Sequence, residues 1–217
     1  MHLFTAPTFF AGMVLCLSLI MAIGPQNAHV IRMGLLRQHL WLTVGVCIAT
    51  DFALIGIGVG GLAQLGGLSD TLLGAMTGAG AVVLLLYGGQ AMRRFLRPPV
   101  QPEAGADSAP GTPARVSRRQ AIVLALALSW LNPHAWLDTA VLIGAASLAY
   151  ARPDNAVFGL GAAIGSLLWF SALGTALWCV GHRLGSPRNS QRLWRALDAL
   201  VALMMWGTAL WLLMGLL

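Results

Sequence analysis

Residues 24–28 read Gly24-Pro25-Gln26-Asn27-Ala28 and residues 131–138 read Leu131-Asn132-Pro133-His134-Ala135-Trp136-Leu137-Asp138. Both stretches interrupt segments that are otherwise apolar enough to be membrane-spanning helix. Proline removes one backbone donor and frees the carbonyl a turn earlier, and in hydrocarbon such groups need partners from protein or water. Polar Gln26, Asn27, Asn132 and His134 cluster where those groups arise. Paired proline breaks at corresponding places in two halves of a chain are the pattern of an inverted-repeat carrier, with its binding site at the breaks.

Working outward, 58% of the 217 residues are hydrophobic and 9% charged. A soluble domain carries about 25% charged residues, so the solvent is a bilayer. Apolar stretches at 8–31, 40–65, 69–92, 120–149, 156–182 and 196–217 each reach the ~20 residues that cross a hydrocarbon core. The expected fold is an all-α membrane protein of six transmembrane helices in one domain, 1–217, arranged as two inverted three-helix repeats with proline-broken first and fourth helices. The repeats are 1–92 and 120–217, joined by a linker, 93–119. Three spans per half force the halves into opposite orientations.

The thirteen basic residues are all arginine. Arg32 and Arg37 follow span one, Arg93, Arg94, Arg97, Arg115, Arg118 and Arg119 lie around the linker, and Arg183, Arg188, Arg192 and Arg195 join spans five and six; only Arg152 falls on the other side. That bias places the three arginine loops in the cytoplasm and both termini outside. It also disperses the charge, which argues against nucleic acid as a partner. The start of the chain lacks a basic n-region and its apolar run outlasts an h-region, so it reads as the first span and not as a cleaved signal. The linker carries Pro98, Pro99, Pro102, Pro110 and Pro113 between arginine clusters, the composition of a mobile loop whose flanks meet anionic lipid headgroups.

Two acids lie deep in apolar spans, Asp51 and Asp138. An Asp at the centre of an inserted helix costs roughly 2.5–3.5 kcal/mol, so each needs a partner, a wet cavity or a bound cation. His134 and Asp138 share a face if helix resumes after Pro133; Arg32 is a second partner within reach of Asp138, and an unwound segment could bond Asp51 through its backbone. His29 and His134 are candidate proton relays, with packing histidines the plainer reading. A metal site of His29, His134, Asp51 and Asp138 has no compact ligand motif behind it, and no cofactor is expected. Cys16, Cys47 and Cys179 are isolated and read as small core residues. Trp130, Trp136, Trp169 and Trp178 are candidate pocket walls, while Trp41, Trp194 and Trp211 suit interfacial belts. Gly56 and Gly60, Gly74 and Gly78, and Gly161 and Gly165 have the spacing that lets helices approach closely. No Ser-His-Asp arrangement, phosphate loop or metal motif points to an enzyme.

Gly24-Pro25-Gln26-Asn27-Ala28, the loop to Arg37-Gln38-His39, Asp51 in the next span, and Leu131 through Thr139 resemble, in order and spacing, the LysE-type basic amino-acid exporters, most closely the arginine exporter branch. The resemblance implies a bacterial inner-membrane secondary carrier for L-arginine or L-lysine, assembled as a homodimer, with Gly24, Pro25, Gln26, Asn27, Asp51, Asn132, Pro133, His134 and Asp138 on the path. The breaks would bind the substrate carboxylate, the aspartates its cationic groups, and a proton would move in exchange. Exporters of neutral amino acids or small cations, and a non-transporting membrane scaffold, are the rival readings.

Overall fold

Each break-forming proline opens a helix. Pro25 and Pro133 both stand in the first helical turn, where a missing N–H costs nothing, and each follows a residue in extended conformation, Gly24 and Asn132. The structure, a computed structural model, describes residues 6–21, 24–62, 70–96, 116–183 and 187–214. The regular elements among them are helical: α1 (Ala6–Ile20), α2 (Pro25–Leu36), α3 (Leu40–Ile57), α4 (Asp70–Leu96), α5 (Arg118–Trp130), α6 (Pro133–Ala135), α7 (Ile143–Ser147), α8 (Asp154–Arg183) and α9 (Pro187–Met214). Two π-helical stretches complete them, Gly58–Leu62 after α3 and Trp136–Leu142 between α6 and α7. The proline-rich stretch 98–113, with Arg97 and Arg115, and the side chain of Trp194 lie outside the described residues.

Leu40–Gly61 and Asp154–Cys179 are each long and apolar enough to cross a membrane, and α1 with α2, bent by 75° at the first break, forms a third such unit. A straight helix over 119–150 would run about 48 Å at 1.5 Å per residue, well past a ~30 Å core. The chain resolves that excess by ending α5 at Trp130 and resuming at Pro133. Ser117 starts α5 with a capping box, its Oγ accepting from Gln120 N–H while Gln120 Oε1 accepts from Ser117 N–H.

Close backbone approach fixes the arrangement of the helices. α1 lies along α8: a Cβ at Gly12 would strike the Phe158 carbonyl, one at Gly161 the Phe9 carbonyl, and one at Gly165 would sit 2.9 Å from the Met13 oxygen. The 161/165 pair thus acts as its spacing suggests. Gly56, Gly60 and Gly78 do not, since nothing stands within 4 Å of a Cβ there. Gly58 carries the contact on α3's side, its hydrogen face turned onto the Ala140 carbonyl of the second π stretch. The four-residue spacing marks small faces on a helix but not which face a neighbour occupies.

Cores form between the two halves of the chain. Ala28, Leu84, Tyr87, Leu128 and Met205 bring together α2, α4, α5 and α9; Val30, Val44, Cys47, Ala125 and Phe170 join α2, α3, α5 and α8. Cys16 and Cys47 are buried as core residues, whereas Cys179 is exposed. Beyond α2, Arg37 and His39 adopt left-handed backbone conformations, and the side chains of this turn hold both backbone polar groups of Val116, at the far end of the linker. Val116 N–H donates to Gln38 Oε1 at 2.6 Å, and the Val116 carbonyl lies 2.9 Å from His39 Nε2.

Gly161→Val should overpack the α1–α8 contact at a cost of ~1–3 kcal/mol. Thermal unfolding of the detergent-purified protein should therefore drop by several degrees, while Gly56→Ala, with open space for its Cβ in a helix, does not lower it; equal midpoints for the two variants would refute the close-approach assignment.

Candidate functional site

The two breaks meet at a cavity of about 200 Å³. That exceeds the ~150 Å³ void able to hold a benzene molecule, so a small solute fits. Gly24, Pro25, Gln26 and Asn27 line it from the first break, Asn132, His134 and Asp138 from the second, and Asp51 from α3. Pro133 is buried beside them without lining the space.

Asp51 is 3% exposed. Its partners are side chains, not the unwound backbone that the sequence allows. Ser166 Oγ donates to Oδ2 at 2.7 Å, and Gln26 Nε2 reaches Oδ1 at a long 3.4 Å. No cation pairs with Asp51 among the described residues. The carboxylate is held, one oxygen firmly and the other loosely, against the cavity wall.

Asp138 sits in the π-helical stretch, a turn after His134. His134 Nδ1 stands 2.7 Å from Asp138 Oδ2, with the two side chains 46% and 31% exposed. A contact this short is a hydrogen bond donated by the imidazole N–H to the carboxylate. Arg32 instead lies over the Tyr87 ring, 5.9 Å from its centroid. The widened π turn also rotates the residues that follow it relative to a continuous α-helix, a distortion common at functional sites.

The breaks are patched by side chains from beyond them. Asn27 Nδ2 donates to the Ile20 carbonyl at 2.8 Å, and Trp136 Nε1 donates to the Trp130 carbonyl at 3.0 Å. In each case the last turn before the break has an oxygen taken by a residue after it. Trp169 Nε1 in turn donates to Asn27 Oδ1 at 3.2 Å, and Asn132 Oδ1 accepts from His134 N–H at 3.2 Å.

Trp130, Trp136, Trp169 and Trp178 are not among the cavity-lining residues. Trp130 and Trp136 meet edge to face and Trp178 is exposed, so indole N–H bonding, not pocket lining, is the use made of Trp136 and Trp169. Trp211 packs its ring 5.2 Å from His134. His29 is fully buried away from the cavity. Its Nε2 lies 3.3 Å from the Ala121 carbonyl, which can only accept, so Nε2 carries the proton and Nδ1 accepts from the Tyr87 hydroxyl at 3.2 Å. His29 is a bonded packing residue.

Cys16, Thr139, Phe170 and Thr208 also line the cavity, and Ser166 supports it from behind. None carries a signal in sequence, because a single Ser, Thr or Phe in an apolar span is ordinary. Among the described residues no three His, Cys, Asp or Glu side chains gather as metal ligands.

Chemically, the site joins opposite requirements. Helix N-termini carry partial positive charge, which suits a carboxylate, although at the second break the His134, Ala135 and Trp136 N–H groups are already taken by Asn132. Two aspartates suit a cation. The cavity is therefore matched to a small solute bearing both.

The LysE type translocator family model matches residues 17–215. The chain is 35% identical to the arginine exporter protein ArgO of Pectobacterium atrosepticum, over 93% of this chain and 94% of that protein. It is 33% identical to ArgO of Serratia proteamaculans, over 93% and 94%. With the lysine exporter LysE of Corynebacterium efficiens identity is 30%, over 93% and 96%. No solved structure matches the chain. A family match running almost end to end, on a chain whose described elements are helical and include apolar spans, makes this protein a multi-pass membrane transporter, not an enzyme, and a member of the LysE-type translocator family.

Proposed function

We propose that this translocator exports basic L-amino acids, arginine foremost and lysine by the same chemistry, across the bacterial inner membrane in exchange for protons. The observation that carries the proposal is the meeting of both proline breaks and both intramembrane aspartates around one cavity. The names of the relatives, arginine exporter and lysine exporter, agree with it.

In this reading the chain crosses the membrane six times: α1–α2, α3 and α4 form one repeat, and α5–α7, α8 and α9 its inverted copy. Pairing of α3 with α8 and of α4 with α9 supports it, since second meets second and third meets third. The arginine-bearing ends lie in the cytoplasm and the termini outside. Contact of Gln38 and His39 with Val116 agrees, because it ties together two ends that both belong on the cytoplasmic face.

Cargo binds with its α-carboxylate at the N-terminus of α2 and at the Asn132–His134 turn. Its cationic groups lie against Asp51 and Asp138. Moving one positive charge outward against an inside-negative potential costs about 2.3 kcal/mol per 100 mV, and an inward proton cancels that charge movement. Cargo and proton compete for the same carboxylates, and rocking of one repeat on the other alternates access.

Proteoliposomes loaded with labelled arginine should release it faster when an inward proton gradient is imposed. Losing a charged contact of ~1.5–3 kcal/mol should slow efflux in Asp51→Asn and in Asp138→Asn by about 10- to 150-fold. Efflux indifferent to the gradient would rule out exchange, and full activity in both variants would rule out the assigned roles.

Water access is a separate expectation. In a cysteine-free background, Thr139→Cys on the cavity wall should react with a membrane-impermeant thiol reagent and be protected by arginine, while Val44→Cys in the buried core stays unmodified. No labelling at 139 would mean that the cavity is dry.

A further inference from the structure

Ser166 is fully buried in α8, outside the cavity lining, and donates its hydroxyl proton to Asp51 Oδ2 at 2.7 Å. A helical hydroxyl in an apolar setting ordinarily bonds back to its own helix. Thr43, Thr50, Ser129, Thr175 and Thr208 all do so, each donating to the carbonyl four residues earlier. Ser166 is turned outward onto a carboxylate of another helix.

Its placement follows from the backbone contact beside it. Gly161 and Gly165 let α8 close on α1, with a Cβ at Gly165 only 3.4 Å from that of Cys16. One turn on, Phe170 faces the cavity, while Trp169 holds Asn27. This stretch of α8 is thus a wall that secures one polar residue of the first break and one acid of α3.

The two oxygens of Asp51 are unequal. A charge-assisted hydrogen bond of 2.7 Å fixes Oδ2, whereas Oδ1 has only the 3.4 Å approach of Gln26. We infer that Ser166 is a positioning residue of the export site: it locks the Asp51 carboxylate in the orientation that leaves Oδ1 as the oxygen offered to the cationic group of the cargo. This rests on the export reading above and adds to it a residue that never touches substrate. Without the hydroxyl, the carboxylate turns about its side-chain bonds and cargo must itself order it. Affinity then falls while the rocking step is unaffected.

The test is arginine exchange in proteoliposomes holding wild type, Ser166→Ala, Ser166→Thr and Ser166→Val at equal protein content. Ala should raise KM roughly tenfold, ~1.4 kcal/mol by the affinity relation, with maximal rate within about twofold of wild type. Thr, which keeps the hydroxyl, should restore KM; Val, of the same shape without it, should resemble Ala. A wild-type KM in Ala, a loss confined to maximal rate, or equal KM in Thr and Val would overturn the positioning role while leaving export intact. Absence of exchange in wild type would overturn both.

Discussion

A backbone carbonyl stripped of its helical partner in hydrocarbon costs several kcal/mol, and this chain interrupts its helices twice, ahead of Pro25 and ahead of Pro133. The rest of the architecture answers that constraint. Asn27 reaches back to Ile20 and Trp136 reaches back to Trp130. The mended breaks can then persist without being filled by apolar packing, and between them lies a cavity that carries amide, imidazole and carboxylate groups in a largely apolar wall. Asn27 has two tasks, since it repairs the backbone and also faces the cavity.

Around that centre, charge is handled by geometry rather than by ion pairing with arginine. Asp51 is held by a hydroxyl and an amide, Asp138 by an imidazole. These partners carry no fixed positive charge, so they hold the carboxylates without neutralising them permanently. The nearest arginine to the first break, Arg32, is turned away onto Tyr87, which also bonds His29. This cluster ties α2, α4 and α5 together between the cavity and the arginine-rich end, and the turn at Arg37–His39 fastens α2 to Val116 just beyond it. The left-handed backbone at Arg37 and His39, unfavourable for residues with a Cβ, is the local expense of presenting Gln38 and His39 to a single residue, Val116.

The helices could not meet this closely with larger residues at a few positions. Gly12 and Gly161 admit each other's neighbouring carbonyls, and Gly58 admits that of Ala140 from the π stretch. In a bilayer, where lipid tails are as apolar as Leu, such close packing holds helices together more than hydrophobicity does. The same approach delivers α8 to the cavity, so packing and site are built from one contact.

What sequence alone determined is what local chemistry enforces. Hydropathy marks apolar spans because each stretch must match a bilayer thickness, proline marks Gly24–Pro25 and Asn132–Pro133 because no helix continues through it unpatched, and Asp51 and Asp138 stand out because a charge in oil requires an explanation. The family resemblance rests on those same residues. Their convergence on one cavity, the shift to a π turn around Asp138, the choice of Gly58 over Gly56 and Gly60, and the outward turn of Ser166 onto Asp51 were decided only in three dimensions. Each depends on how far one helix is rotated and shifted against another, and a difference of one residue in that register moves a side chain by about 100° around the helix axis. A serine or glycine in an apolar span looks the same in sequence whichever way it faces, so its role is set by the neighbour that packing brings to it.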